Sequence, residues 1–433
     1  MVTRTYGAGR ILANYLFIQT LRGRVGQSVL RTIVVCLLLV VNSIVCAADD
    51  SKLEWNLFGT FGFSYTDNIE NIEQKNVPFS YLESGASIKP LSKLALQASY
   101  RFSEKLDFTV QAVARGVEDF DPEAEWVYFK YDVLDDFSLR IGRIRRPLFI
   151  HSDSYNVAYA YPWSRPPGVT YFEFAGLYQS IDAIDLSYAG WIGDTGVSAE
   201  AYFGRGRTDT GFIRDVLTTY KSDESYGFVL GFEKNDLTVS LGHHLAKFTV
   251  DLPAAQQAVD GLTQLGFGAL AEPLVISNKQ AKFSNLGGVY RFENWQLEAE
   301  ITHLGSDDSI LANVSSGYLG ASWIKDAYTF NYTFGKHQSK SNQDFVLPIA
   351  QAAQGVAAAN TPESAMAAGF LNGIAAGLAD YQNANENTRL SHRLGVRYDA
   401  RKNTALKAEI ERVEDEGAAS GTTTLNFSLD FVY

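Results

Sequence analysis

Sixteen segments of alternating apolar and polar residues follow residue 50, and the links between them alternate strictly in length. The segments are 53–66, 94–102, 106–115, 125–133 and 137–146, then those opening at 180, 195, 227, 237, 283, 295, 317, 327, 388 and 404, and the terminal "TLNFSLDFVY". Links 103–105, 134–136, 189–194, 234–236, 293–294, 325–326 and 400–403 have six residues or fewer. Links 67–93, 116–124, 147–179, 205–226, 249–282, 305–316, 338–387 and 414–422 have nine or more. Period-two segments are strands. Strict alternation of their links puts every short turn at one end of an antiparallel sheet and every long loop at the other. A soluble sandwich or propeller has no reason to sort loops in this way, whereas an even strand number lets the first and last strands pair and close the sheet. The expected fold is all-β: a 16-stranded antiparallel transmembrane β-barrel with short periplasmic turns and long extracellular loops.

The faces agree. "AYTFNYTF" turns Tyr328, Phe330, Tyr332 and Phe334 one way and Thr329, Asn331 and Thr333 the other. "WQLEAEIT" sets Gln296, Glu298, Glu300 and Thr302 on one side, and a lumen lined with such carboxylates is expected to be wet. Apolar residues make up 46% of the chain, yet its mean hydropathy is −0.09, so they are plentiful but dispersed.

The one helix-like apolar run, "TIVVCLLLVVNSIVCAA" from Thr32 to Ala48, is interrupted at Asn42 and Ser43. It is short for a membrane span, follows Arg22, Arg24 and Arg31, and ends in small residues. Residues 1–48 are therefore expected to be a signal peptide cut after Ala47 or Ala48, leaving residues 49–433 as the barrel. Both cysteines fall in the removed part, so no disulfide or cysteine-bound metal is expected. Five arginines leave with it, and the remaining 32 basic and 49 acidic residues give a net charge of about −17, which argues against a nucleic-acid partner.

Two stretches resemble Gram-negative porin-type outer-membrane proteins. One is the aromatic-ended "LNFSLDFVY", similar to the signal read by the barrel-assembly machinery, with Phe427, Leu429, Phe431 and Tyr433 as its residues. The other is the block 120–167, "FDPEAEWVYFKYDVLDDFSLRIGRIRRPLFIHSDSYNVAYAYPWSRPP", which resembles the strand, basic wall and third loop of a proteobacterial porin-like subgroup. The resemblance implies an inward-folded third loop that forms a constriction, a homotrimer, contact with outer-membrane lipid and lipopolysaccharide, and passive passage of small hydrophilic solutes. A barrel of this size leaves an aqueous channel.

Within "RIGRIRR", Arg140 faces inward, and strict alternation would turn Arg143 and Arg145 toward lipid. A bulge at Gly142 is expected to return both to the lumen. Arg115 would extend this basic wall, opposed by Asp153 and Glu173 of the third loop and by Asp119, Asp121 and Glu125 near the second. Opposed rows would set a transverse field; the plainer reading is that the arginines tie down the loop through ion pairs. His243 and His244 face opposite sides of a strand and cannot share a metal. No cofactor motif occurs, and no nucleophile has a neighbouring base at a recognisable spacing. An adhesin or receptor barrel, and less so an outer-membrane enzyme, remain alternatives. In the Ala-rich loop 338–387, Thr361-Pro362-Glu363 opens a helix; it is either a lid or receptor surface, or simply a compact loop packed on its neighbours.

Overall fold

A computed structural model describes residues 52–67, 85–171, 180–213, 216–250, 253–306, 309–341, 345–416 and 420–433. The expected signal peptide lies outside the described residues. One antiparallel sheet runs β1 (Leu53–Thr66), β2 (Gly85–Ser87), β3 (Lys93–Ser103), β4 (Leu106–Arg115), β5 (Pro122–Leu134), β6 (Phe137–Arg145), β7 (Ser180–Ile192), β8 (Thr195–Ile213) and β9 (Val216–Lys234). It continues through β10 (Leu237–Val250), β11 (Lys279–Phe292), β12 (Trp295–Ser306), β13 (Asn313–Lys325), β14 (Tyr328–Lys340), β15 (Asn387–Arg401), β16 (Thr404–Asp415) and β17 (Thr422–Val432), which pairs with β1. β2 is a three-residue piece beside β1, so sixteen long strands close the barrel, as the periodicity predicts. The seven short links are all two-residue turns. Asn235, Glu293 and Asp326 take positive φ there, the conformation that tight hairpins need. The expected loop 205–226 is instead mostly strand, because β8 and β9 run on together to residues 213 and 216.

The chain is apolar outside and polar inside. On β17, Thr422, Thr424, Asn426, Ser428 and Asp430 are buried, while Leu425, Phe427, Leu429 and Tyr433 are exposed. Water would penalise this arrangement, so the exterior requires a membrane. Aromatic rings collect beside the two-residue turns, with Trp295–Trp323 centroids 6.5 Å apart and Tyr328–Tyr398 4.9 Å apart, as an interfacial girdle does.

Closure is polar within and aromatic without. On the inner face Thr60 Oγ1 donates to Asp430 at 2.7 Å and Ser64 Oγ to Asn426 at 2.7 Å; outside, Phe61 stacks on Phe431 at 6.0 Å. Lys407 Nζ, fully buried, meets the other Asp430 oxygen at 2.8 Å. Asp430→Ala would leave that ammonium buried without its counter-ion, at a cost of roughly 3–5 kcal/mol. The expected outcome is a lower urea midpoint for the refolded barrel; an unchanged midpoint would show that the seam is wet.

Candidate pore constriction

The β6 strand runs into a segment that turns inward. Leu148, Phe149, Tyr161, Trp163 and Tyr171 are buried with the inward-facing Phe283 and Tyr318, forming an aromatic cluster inside the barrel. Phe149 stacks on Tyr171 at 4.6 Å, and Trp163 meets Tyr318 edge-on at 5.8 Å. The inward third loop expected from the resemblance is present. It ends in the short helix α1 (Gly168–Tyr171).

Charged and polar side chains of β12–β17 hold this segment by its backbone. Lys407 Nζ donates to the carbonyls of Ala158 and Trp163, both at 2.6 Å. Arg397 Nη1 donates to those of Tyr159 and Tyr161 at 2.5 and 2.8 Å, and Arg393 Nη1 to that of Arg165 at 2.8 Å. Glu409 accepts from the Ser164 N–H at 3.0 Å, and Glu411 binds the guanidinium of Arg393 at 3.0 Å and that of Arg165 at 3.4 Å. Trp163 Nε1 donates to Thr333 at 2.8 Å. Glu300 accepts from the Ile150 N–H and the Tyr171 hydroxyl at 3.0 and 2.8 Å, while Glu298 bonds His151 and Tyr318, each at 2.6 Å. Glu298 and Glu300 are thus 3% and 1% exposed, and the wet carboxylate wall expected there is a dry one that grips the loop. Buried charges persist only where paired and hydrogen-bonded in this way.

The arginines divide. Arg140 faces the lumen and donates to Asp185 at 2.6 Å and to Glu200 at 2.8 Å. Arg143 does not: both ladders run through Gly142 without a shift, and Arg143 shares the outer face with Ile141 and pairs with Asp182 at 3.2 Å. The expected bulge is absent because the penalty that called for it applies near the bilayer midplane. Arg143 is two residues from the strand's loop end, where the cost falls to about 0–1 kcal/mol. Gly142 nevertheless has φ +137°, a conformation closed to other residues, and a Cβ there would lie 2.2 Å from the Val127 carbonyl. Arg145 is buried, pairing with Glu125, which also binds Arg115.

The expected facing acids are placed differently. Asp119 is exposed and pairs with Lys89 at 2.6 Å, Asp121 is exposed on the same loop, and Glu125 lies among the arginines. Asp153 is exposed on the inward segment, close enough to Arg140 and Glu200 to interact with them electrostatically. Glu173 lies outside the described residues. Among the described residues, Asp153 is the expected acid that acts on Arg140, while Arg145 and Arg115 are in ion pairs with Glu125.

Inner-face residues of β13–β17 are almost all buried, whereas Gln97, Ser99, Ser187, Ser198, Glu200 and Ser240 on the other side are half-buried or exposed. The solvent-accessible part of the inner face lies along the latter wall. At the loop end, α2 (Pro253–Gln264), α3 (Gly268–Ala271), α4 (Val346–Ala357) and α5 (Pro362–Asn385) share a core that buries Leu262, Ile349 and Leu371. The helix expected at Thr361 is α5, with Thr361 and Ser364 in a reciprocal capping box at 3.1 and 3.0 Å. His244 faces inward to Tyr202 at 3.1 Å and His243 outward to Ser284 at 2.8 Å, on opposite sides as expected.

By sequence the chain matches no known protein family, and no characterised protein sequence matches it. Its architecture, however, superposes on solved bacterial barrels. An anion-selective porin from Comamonas acidovorans aligns with a TM-score of 0.50 at 12% identity, covering 88% of this chain and 100% of that one. The fold is that of the outer-membrane porins. OmpF of Salmonella typhi, solved with daunomycin, gives 0.50 at 10% identity over 88% of this chain and 97% of that one. A loop-deletion mutant of OmpT, an outer membrane protein of Vibrio cholerae, gives 0.51 at 10% over 88% and 99%. With its apolar exterior, this porin-like barrel is an integral outer-membrane protein.

Trp163→Ala would empty an indole-sized space in the inward segment and cost about 3–5 kcal/mol. Limited proteolysis of the refolded variant is expected to nick the segment between 147 and 171 while the strands stay intact. Protease resistance equal to the parent's would mean that the segment is held by other contacts.

Proposed function

We propose that this protein is a porin in the functional sense: a passive, water-filled diffusion channel for small hydrophilic solutes and ions, with no enzymatic role. The observation that carries this reading is the asymmetry of the lumen. The inward segment is fixed to one wall by buried polar bonds, while the opposite inner face keeps polar, solvent-accessible side chains around Arg140 and Glu200. Such a lumen would leave a narrowed passage and not a filled core. The long loops would face the exterior and the two-residue turns the periplasm. Phe427, Leu429, Phe431 and Tyr433 would serve as lipid-facing surface and as the signal for the barrel-assembly machinery. The channel would sit among outer-membrane lipid and lipopolysaccharide as a homotrimer, the form in which OmpT of Vibrio cholerae was solved after in-vitro folding.

The test is single-channel recording from the purified, refolded protein in planar bilayers. Stepwise conductance is expected, with Arg140→Glu moving the reversal potential toward cation selectivity and Arg143→Glu leaving it unchanged. A folded, heat-modifiable barrel that never conducts would refute the channel.

A further inference from the structure

The open side of the constriction carries an imbalance of charge. Arg140 is bonded through Nε to Asp185 and through Nη2 to Glu200, and Asp153, exposed on the inward segment, acts on the same group electrostatically. Three carboxylates thus act on one guanidinium. The cluster is negative even with one carboxylate protonated. Three other strand cations on this side, Arg101, Lys130 and Arg115, have carboxylate partners of their own. Arg101 pairs with Asp107 at 3.2 Å and Lys130 with Asp132 at 3.0 Å. Arg115 meets Glu118 at 2.9 Å, Glu123 at 3.6 Å and also Glu125, which Arg145 shares. Arg291, near the turn end, bonds Gln296 at 3.1 Å. Arg146, just beyond β6, is buried with Nη2 turned toward Gly206.

Aromatic faces add to the imbalance. Trp126 and Tyr128 lie on the inner face of β5, opposite Gln111 and Thr109, and their ring centres are 6.2 Å apart. The Arg140 guanidinium already sits over the Tyr128 ring at 5.8 Å. Ring faces attract cations, ammonium groups included. A passing anion meets there a guanidinium that two carboxylates already engage through Nε and Nη2.

We infer that the channel prefers cations, and that small organic ammonium compounds are its favoured charged solutes, because Asp153, Asp185 and Glu200 outnumber Arg140 beside an aromatic wall at the narrow passage. The inference rests on the channel reading and names its solute class. These charges act within the ~8 Å over which salt leaves them unscreened, so they outweigh acids on distant loops.

The experiment uses the full mature chain in planar bilayers under a KCl gradient, followed by permeability ratios for lysine against glutamate. The wild type is expected to favour K⁺ over Cl⁻ and lysine over glutamate, each several-fold. Asp153→Asn and Glu200→Gln should each lower both ratios, and together bring them close to one. Asp153 is exposed and makes no buried bond, so its variant keeps the test decisive if Glu200→Gln fails to fold. Anion preference in the wild type, or unchanged ratios in a folded Asp153→Asn channel, would overturn the inference while leaving the channel standing. A folded protein without conductance would overturn the channel itself.

Discussion

Everything in this structure depends on satisfying backbone hydrogen bonds where no water can supply them. A sheet with a free edge would strand a row of N–H and C=O groups in hydrocarbon, at several kcal/mol each, so the only sheet that survives is a closed one. Here the closing pair is β1 and β17, in register from Phe58–Val432 to Thr66–Thr424, with Leu57 and Tyr433 exchanging both backbone bonds at 2.7 Å. Because β17 completes the ring by pairing with β1, its apolar row covers the seam on the lipid-facing side.

Once the backbone is closed, the inner face is free to be polar, and the protein uses that freedom unevenly. One wall spends its polar groups on the inward segment: Lys407, Arg397, Arg393, Glu409 and Glu411 each bond its backbone or its arginine. Such charges are stable only because the segment's carbonyls and N–H groups replace the water they lost. The opposite wall keeps several half-exposed polar residues, among them Gln97, Ser99, Ser187 and Glu200. In the channel proposed here, a lumen lined in this way would be a narrowed passage, and its position would decide which charges a solute meets.

The arginines of "RIGRIRR" show how context sorts chemically identical side chains. Arg140 lies deep on the inner face and is engaged by acids from the next two strands, β7 and β8. Arg143, three positions on, is near enough to the rim to face outward with Asp182 as its partner. Arg145, at the strand's end, is folded under the inward segment with Glu125. Their common sequence pattern gives no hint of this division, because the deciding quantities are depth in the bilayer and the acids supplied by other strands.

Strand number, the sorting of turns and loops, the lipid-facing rows and the α5 cap at Thr361 were legible in the sequence, since each follows from local periodicity, spacing or motif, while the inward third loop was expected only from the resemblance carried by block 120–167. The long β8–β9 hairpin was not, because residues 205–226 lack a clean alternation and are strand through their pairing with each other. Nor were the roles of Glu298 and Glu300: a carboxylate on an inner face reads as wet until a loop 129 to 150 residues away in sequence covers it. Periodicity fixes which side of a sheet a residue takes, which is a property of the chain alone. What it meets on that side, whether water, a carbonyl or a counter-ion, depends on segments distant in sequence, and only the closed barrel with its folded-in loop decides that.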